Sequence, residues 1–272
     1  MIAPLVTGEE KGLPEGAMIK DVLHQVKRGE LGIEEAEEAL LREFYEHGED
    51  FLLDLHRHNR TGFPEVIYAR GKSLQQIRDI TRQFLQENRQ AFISLAGEEE
   101  VESLKEAFPK HRFARGGSLV ALSEPGFSPE EMGVVGVLTA GTADTPYAKE
   151  CSLLLEELGV EVIRAFDFGV SGMHRPFLGV QKTRDADVLV VFAGMDGILP
   201  TMIGSITDKP VIAVPTPIGY GMGGDGDTAL RTMLQSCMPG IVVLNIGNSV
   251  GAAAAAMRVL RAVRRRCRGQ AL

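Results

Sequence analysis

The sequence predicts an α/β protein. Its C-terminal half reads as a three-layer domain built on a parallel sheet, and a smaller α+β domain precedes it. Three observations carry this reading. Beyond residue 131, short β-branched runs (134–139, 160–166, 188–193, 211–214 and 241–245) alternate with helical stretches. Most of those runs are continuously apolar rather than alternating, as strands buried on both faces must be; 160–166, with Glu161 and Arg164, is the exception. The glycine-rich, polar stretches of this half (140–145, 194–200, 215–227 and 245–251) mostly fall where a strand gives way to a helix, the side of such a sheet on which ligands bind.

The 272 residues suffice for one large or two modest domains, and 44% hydrophobic against 24% charged residues is ordinary for a globular chain. A net charge of −8 argues against a general nucleic-acid binder. The arginines of the last segment, Arg258, Arg261, Arg264, Arg265, Arg266 and Arg268, read as a solvated helix end whose cations suit the C-terminal dipole. Cys151, Cys237 and Cys267 have no paired spacing, which indicates neither a zinc site nor a disulfide framework and fits a reducing cytoplasm. Residues 1–16 lack the apolar run of a signal peptide, and 188–193 is far too short to span a membrane.

Along the chain, 1–17 reads as a flexible leader and 18–123 as the N-terminal α+β domain. Residues 18–47 carry helical spacing, through Ile19, Val22, Leu23 and Val26 and again from Ile33 to Phe44, broken by Gly29–Gly32. A polar stretch from Asp54 to Arg60 reads as a solvated or phosphate-contacting loop rather than a metal site, because no second ligand cluster accompanies it. A short strand at 65–68 follows. Ser73 is placed to cap a helix through Leu74, Ile77, Ile80 and Phe84. A strand at 91–95, a helix at 98–108 and an extended Arg112-Phe113-Ala114 complete this half. Segment 124–130, with two prolines and a glycine nearby, is the expected linker. The catalytic domain then runs from 131 to 272, with helices at 146–158, 177–184, from 199, 228–235 and 251–266.

The chemistry-bearing residues sit in the turns of this half. Gly141 allows a tight turn, and Thr142 with the following helix N–H groups can hold an anion; Asp144 or Thr145 can equally cap the helix, with Pro146 at its first position. Gly194, Met195, Asp196, Gly197 and Pro200 form a second such turn, in which Asp196 is either an N-cap or a general base at a site mouth. His174-Arg175 supplies a guanidinium suited to carboxylate or phosphate. Gly219, Tyr220 and Gly221 open a glycine-dense loop whose backbone can approach a phosphate. Downstream lies Cys237 in Ser236-Cys237-Met238-Pro239-Gly240, a candidate nucleophile. No dinucleotide fingerprint, P-loop or nucleophile-elbow pattern occurs, which disfavours nicotinamide redox chemistry and P-loop ATP hydrolysis.

These segments in this order, Val137-Leu138-Thr139-Ala140-Gly141-Thr142-Ala143-Asp144, Gly172-Met173-His174-Arg175, Ala193 to Pro200, Val214-Pro215-Thr216 with Gly219-Tyr220-Gly221, and Ser236 to Gly240, resemble the LarB family. Gly29-Glu30-Leu31, Asp54 to Arg57, Gly62 to Ile67 and Gly71-Lys72 extend the resemblance over about 18–257. LarB is the pyridinium-3,5-biscarboxylic acid mononucleotide synthase of nickel-pincer cofactor biosynthesis, and its C-terminal domain is similar to PurE, a flavodoxin-like aminoimidazole ribonucleotide carboxylase/mutase.

The resemblance implies a cytoplasmic carboxylase and hydrolase acting on nicotinic acid adenine dinucleotide, with CO₂ or bicarbonate as co-substrate. Mg²⁺ would assist hydrolysis, and neither biotin nor ATP would be needed. It implies Cys237 as nucleophile and Asp196 as base. Substrate contacts would come from Gly141, Thr142, Asp144, His174, Arg175, Gly194, Met195, Gly197, Pro200, Gly219, Tyr220, Gly221 and Asn248. A homo-octamer is implied, and neither nucleic acid nor membrane. The chain departs from the family at two positions: Asp196 stands where Glu is usual, and Gly247 where a carboxylate is usual. A PurE-type carboxylase or mutase and a non-catalytic nucleotide-binding module are the alternatives.

Overall fold

The computed structural model describes residues 19–37, 46–47, 52–55 and 57–267. The chain divides into two compact units, 1–60 and 61–272. In the first, helix α1 (Ile19–Arg28) buries Val22, and residues 33–37 are again helical after the Gly29–Gly32 break. The helical pattern predicted through His47 ends sooner. Glu46–His47 form strand β1, antiparallel to β2 (Leu52–Leu53). No aliphatic residue continues the helical spacing beyond Phe44, and Gly48 favours a turn. Residues 38–45, and the leader 1–17, lie outside the described residues. Asp54 is held by Arg60 at 2.9 and 2.6 Å and by Arg57 at 3.4 Å, on a short helix α2 (Arg57–Thr61). Those guanidiniums hold the Asp54 carboxyl below its ordinary range against the opposing effect of partial burial.

The second unit carries two sheets. The smaller one has the order β3 (Ile67–Tyr68), β4 (Gln90–Ser94), β6 (Leu119–Ser123), β5 (Arg112–Gly116). Its first pair is parallel and the other two are antiparallel. Strand β6, wholly buried, has no counterpart in the sequence reading. Helix α3 (Leu74–Asn88) starts at the expected cap: Ser73 Oγ accepts the Gln76 N–H, and Gln76 Oε1 accepts the Ser73 N–H, a reciprocal capping box. It packs with α4 (Glu98–Ala107) through Ile77, Ile80, Phe84, Val101 and Leu104.

The larger sheet is fully parallel, ordered β11 (Ile241–Val243), β10 (Val211–Pro215), β9 (Val188–Ala193), β7 (Gly133–Thr139), β8 (Val160–Ala165). Numbered within the domain this is 2-1-3-4-5 read from the β8 edge, the flavodoxin-like order, with the crossover between β7 and β9. Its inner strands β9 and β10 are buried on both faces because two sets of helices cover them, while the edge strands β8 and β11 are partly exposed. Val188, Val190 and Phe192 face α5 (Thr145–Glu157) and α9 (Ser249–Cys267), whose Ala252, Ala253 and Ala256 allow close approach. Leu189, Val191 and Ala193 face the opposite core with Leu199 and Ile203 of α7 (Leu199–Gly204) and Met233 of α8 (Asp227–Leu234). Helix α6 (His174–Lys182) starts three residues before the sequence reading, since Pro176 is tolerated in a first turn.

Segment 124–130 lies inside this second unit, between the two sheets, which meet across α5. Glu157 at the end of α5, nearly buried, accepts from Arg112 Nη1 at 2.7 Å and also pairs with Arg112 Nη2, while its carbonyl accepts from Gln90 Nε2 at 2.9 Å. Glu150 likewise accepts from the Ser118 N–H and hydroxyl, at 3.0 and 2.6 Å.

Candidate active site

The C-terminal ends of β7, β9 and β10 are tied together by one buried carboxylate. Asp144 sits in a 3₁₀ turn (Thr142–Asp144) just after β7 and is 3% exposed. It accepts the Gly141 N–H at 2.8 Å, the Gly194 N–H, and the Thr216 hydroxyl at 2.5 Å. One side chain thus joins the three loops flanking the β7/β9 crossover. Burial pushes its carboxyl above the ordinary range, and the three donors only partly offset that. The capping role expected for Asp144 is met at the 3₁₀ turn, not at α5, whose first turn it does not bond. Thr216, fully buried, belongs to the Val214-Pro215-Thr216 motif, but the sequence reading assigned it no role in the site.

The turn after β9 carries Asp196. Met195 and Gly197 both have positive φ (48° and 63°), and Met195 N–H donates to the Ile218 carbonyl at 2.6 Å. A Cβ on Gly197 would lie 2.6 Å from the Ala229 carbonyl oxygen, so this loop packs backbone to backbone against α8 and requires glycine there. Asp196 is exposed, and its Oδ1 accepts the Ile198 N–H at 3.2 Å. Its bond is therefore a two-residue Asx turn; the N-cap of α7 is Ile198. Gly194 and Pro200 are buried, whereas Met195 is 44% exposed beside Gly219 of the neighbouring loop.

Cys237 follows α8 and is exposed. It lines an open pocket of about 750 Å³ together with Ile198 and Thr201 from the α7 side and Arg231, Thr232, Leu234, Gln235 and Ser236 from the α8 side. Cys151, by contrast, is fully buried in the α5 core, where burial raises its thiol. Of Cys151 and Cys237, it is Cys237 that is placed to meet a ligand. Arg231, a cation on the pocket wall paired with Asp227 at 2.7 Å, was missed by the sequence reading because an i,i+4 pair on a helix carries no site signature.

Of the remaining expected residues, none lines the Cys237 pocket; they lie beyond the ends of β7, β8, β10 and β11. Tyr220 is 81% exposed on the glycine-rich loop, and Gly219 and Gly221 flank it, also exposed. Arg175 is half-buried and bonded to Asp167 at 2.7 Å, while His174 beside it is exposed; Asp167 N–H in turn donates to Thr139 Oγ1 at 2.9 Å, tethering this loop to β7. Thr142 is exposed and Gly141 half-buried. Asn248 is not brought to Cys237. Its Oδ1 caps α9 by accepting the Gly251 N–H at 2.8 Å, and it lines a separate recess of about 310 Å³ with Tyr68, Ser94 and Leu95. Among the described residues, no three His, Cys, Asp or Glu side chains gather where they could hold a metal ion. No helix of the described residues is long and apolar enough to cross a membrane.

A five-stranded parallel sheet in this order, with its loops gathered at the crossover, defines a flavodoxin-like α/β domain. Residues 134–270 match the AIR carboxylase family, and residues 45–124 match the LarB/PurE-like N-terminal domain. The chain belongs to the LarB family, with a PurE-like C-terminal domain. It is similar over nearly its whole length to a Methanocaldococcus jannaschii protein known as uncharacterized protein MJ0165: 38% identity over 248 residues, 87% of this chain and 94% of that one. The N5-carboxyaminoimidazole ribonucleotide mutase of the same organism is 34% identical over 125 residues, 45% of this chain and 74% of the mutase. The corresponding mutase of Aquifex aeolicus is 29% identical over 133 residues, 47% and 76% of the two chains. The protein is therefore a carboxylase-type member of this group.

Proposed function

We propose that the protein carboxylates the pyridinium ring of nicotinic acid adenine dinucleotide at C5 and hydrolyses its phosphoanhydride, giving pyridinium-3,5-biscarboxylic acid mononucleotide and AMP. The observation that carries this reading is the exposed Cys237 on the wall of a pocket whose other wall begins at the Asp196 turn. A PurE-type reaction needs no cysteine nucleophile, and a buried thiol would have removed the reason to prefer covalent chemistry.

The electron flow balances as follows. The Cys237 thiolate adds to C4 of the cationic ring, forming a C–S bond and neutralising the ring nitrogen as an enamine. C5 of that enamine attacks CO₂, forming the C–C bond and an iminium. Asp196 takes the C5 proton, the regenerated enamine expels the thiolate from C4, and aromaticity returns. The net products are one carboxylate, one proton on Asp196 and the regenerated thiolate. Water then cleaves the phosphoanhydride and releases AMP. Arg231 on the pocket wall and the exposed backbone of Gly219–Gly221 are suited to the phosphates. Asp144 serves the site from beneath, by fixing the three loops rather than by touching ligand. The described residues offer no ready-made Mg²⁺ cage, so Mg²⁺ would arrive with the substrate phosphates, and no step here runs through it.

The similarity to N5-carboxyaminoimidazole ribonucleotide mutases supports a second reading, a carboxylase or mutase of an imidazole ribonucleotide. One assay separates the two. The protein is incubated with labelled bicarbonate and Mg²⁺ and either nicotinic acid adenine dinucleotide or aminoimidazole ribonucleotide, and products are weighed by mass spectrometry. Label in a pyridinium dicarboxylate, with AMP, is the expected result. Label only in the imidazole product would install the second reading, and no product with either substrate would leave a binding module.

A further inference from the structure

The recess beside the start of α9 is a second concave site that the reaction scheme leaves unused. It holds about 310 Å³, near the lower end of the range for small-molecule pockets. Val66, Leu95 and Val250 give it apolar walls, and the half-exposed ring of Tyr68 offers a flat face. Leu95 keeps a positive φ of 56°, which leucine rarely adopts, and its side chain stays part-exposed on that wall. At the helix end, Asn248 Oδ1 accepts the Gly251 N–H, and the Ser249 N–H donates to the Gly247 carbonyl at 2.9 Å. The Val250 N–H is left without an acceptor among the described residues. Ser249 is 2% exposed, and its hydroxyl, closed off from water, has no hydrogen-bond partner there either. A buried hydroxyl without a partner is costly, and Ser249 lines the recess, so a group held in the recess is what can pair with it.

The polar groups of the lining select the kind of ligand. The helix end and the Ser249 O–H call for a hydrogen-bond acceptor. Glu150, also on the lining, uses Oε1 for the Ser118 N–H and hydroxyl and leaves Oε2 to take a donor. A bare anion would meet the Glu150 charge, and a bare cation would meet the positive end of α9. A neutral, flat ring with an acceptor nitrogen next to an amino group satisfies both, and its faces suit the apolar walls and Tyr68. We propose that this recess binds an adenine ring, with the ring acceptor toward Ser249 and the Val250 N–H and the amino group toward Glu150. The recess shares a loop with the Asp196 turn. Gly247 N–H donates to the Pro215 carbonyl at 2.8 Å, and the Ile218 carbonyl, three residues on, accepts the Met195 N–H at 2.6 Å. In the proposed reaction the ring is that of the adenylate half of the dinucleotide, and this assignment alone rests on the dinucleotide reading.

Free adenosine tests the recess without any carboxylation. Calorimetry on the full chain compares adenosine with inosine, whose ring presents a donor and a carbonyl where adenosine presents an acceptor and an amino group. Adenosine is expected to bind, and inosine to bind at least about 5-fold more weakly. Ser249→Ala is expected to weaken adenosine about 5-fold without lowering the melting temperature of the unliganded protein, because the hydroxyl it removes is unpaired. Tyr68→Ala, which removes a half-exposed ring, is expected to weaken adenosine at least as much. No adenosine binding by wild type, equal binding of inosine, or wild-type affinity in either variant would overturn the proposal. So would loss of binding in Arg231→Ala with Ser249→Ala unaffected, which places the base in the Cys237 pocket instead. If adenosine binds as expected while no labelled pyridinium product forms, the recess stands and the substrate assignment fails.

Discussion

At the scale of single residues, the site rests on two carboxylates with opposite environments. Asp196 is exposed and bonded by a single backbone N–H, free to work on a ligand. Asp144 is buried under three donors and works on the protein. The sequence placed both in strand-to-helix turns but could not tell them apart, because burial is decided by what the neighbouring strands bring to the turn. Thr216 and Gly194 come from strands distant in sequence. Asp196→Asn is expected to accept the ring adduct but not complete carboxylation, so that product formation falls by two or more orders of magnitude while Cys237 stays occupied; product at the wild-type rate would remove Asp196 as base. For Asp144 the prediction concerns stability. Its folded carboxyl titrates above the unfolded value, so the neutral form is the better fitted one. The contribution is fully present below the unfolded range and is lost as pH rises through the folded value. Asn mimics the neutral acid, with its oxygen toward the Gly141 N–H and its amide toward the Thr216 hydroxyl. Thermal unfolding of Asp144→Asn and wild type between pH 4 and about 7.5 should therefore show the variant gaining on wild type as pH rises, and a pH-independent difference would contradict this.

At the scale of elements, the parallel strands were the most legible part of the chain, because burial on both faces leaves unbroken runs such as Val188–Ala193. The smaller sheet was less so. Strand β6 reads Leu-Val-Ala-Leu-Ser immediately before a Pro-Gly segment, and nothing local distinguishes it from the start of a linker. It becomes a strand by pairing with both β4 and β5, a long-range effect. The joint between that sheet and α5 was not legible at all. It consists of Arg112 and Gln90 converging on Glu157, separated from it by 45 and 67 positions. Glu157 is nearly buried while Arg112 stays half exposed, so the pair is screened on one side. Glu157→Gln is expected to lower stability by about 1–3 kcal/mol in denaturant unfolding, against little or no change on removal of the exposed Arg231–Asp227 pair. Equal effects would place the joint elsewhere.

At the scale of the molecule, the fold and the site meet at the crossover of the larger sheet. The order β8-β7-β9-β10-β11 sends connections to opposite faces from β7 and β9, and the crevice this opens lies where Asp144 binds the Gly194 N–H. The sequence motifs identified that crevice in advance because glycines and short polar side chains cannot be spared from it. They did not reveal that Asn248 caps α9 beside a second recess, since a cap and a ligand contact use the same residue type. Nor did they reveal the hydroxyl bond between Thr201 and Ser236, which forms only because α7 and the end of α8 are adjacent.

The central claim is that an exposed Cys237 carries covalent carboxylation of a pyridinium dinucleotide. The most direct measurement compares wild type with Cys237→Ala for incorporation of labelled bicarbonate into nicotinic acid adenine dinucleotide, with dinucleotide affinity measured calorimetrically on both. The account predicts a loss of product on the order of 10³-fold or more with dinucleotide affinity nearly unchanged. Carboxylated product from Cys237→Ala at a rate near wild type would contradict it.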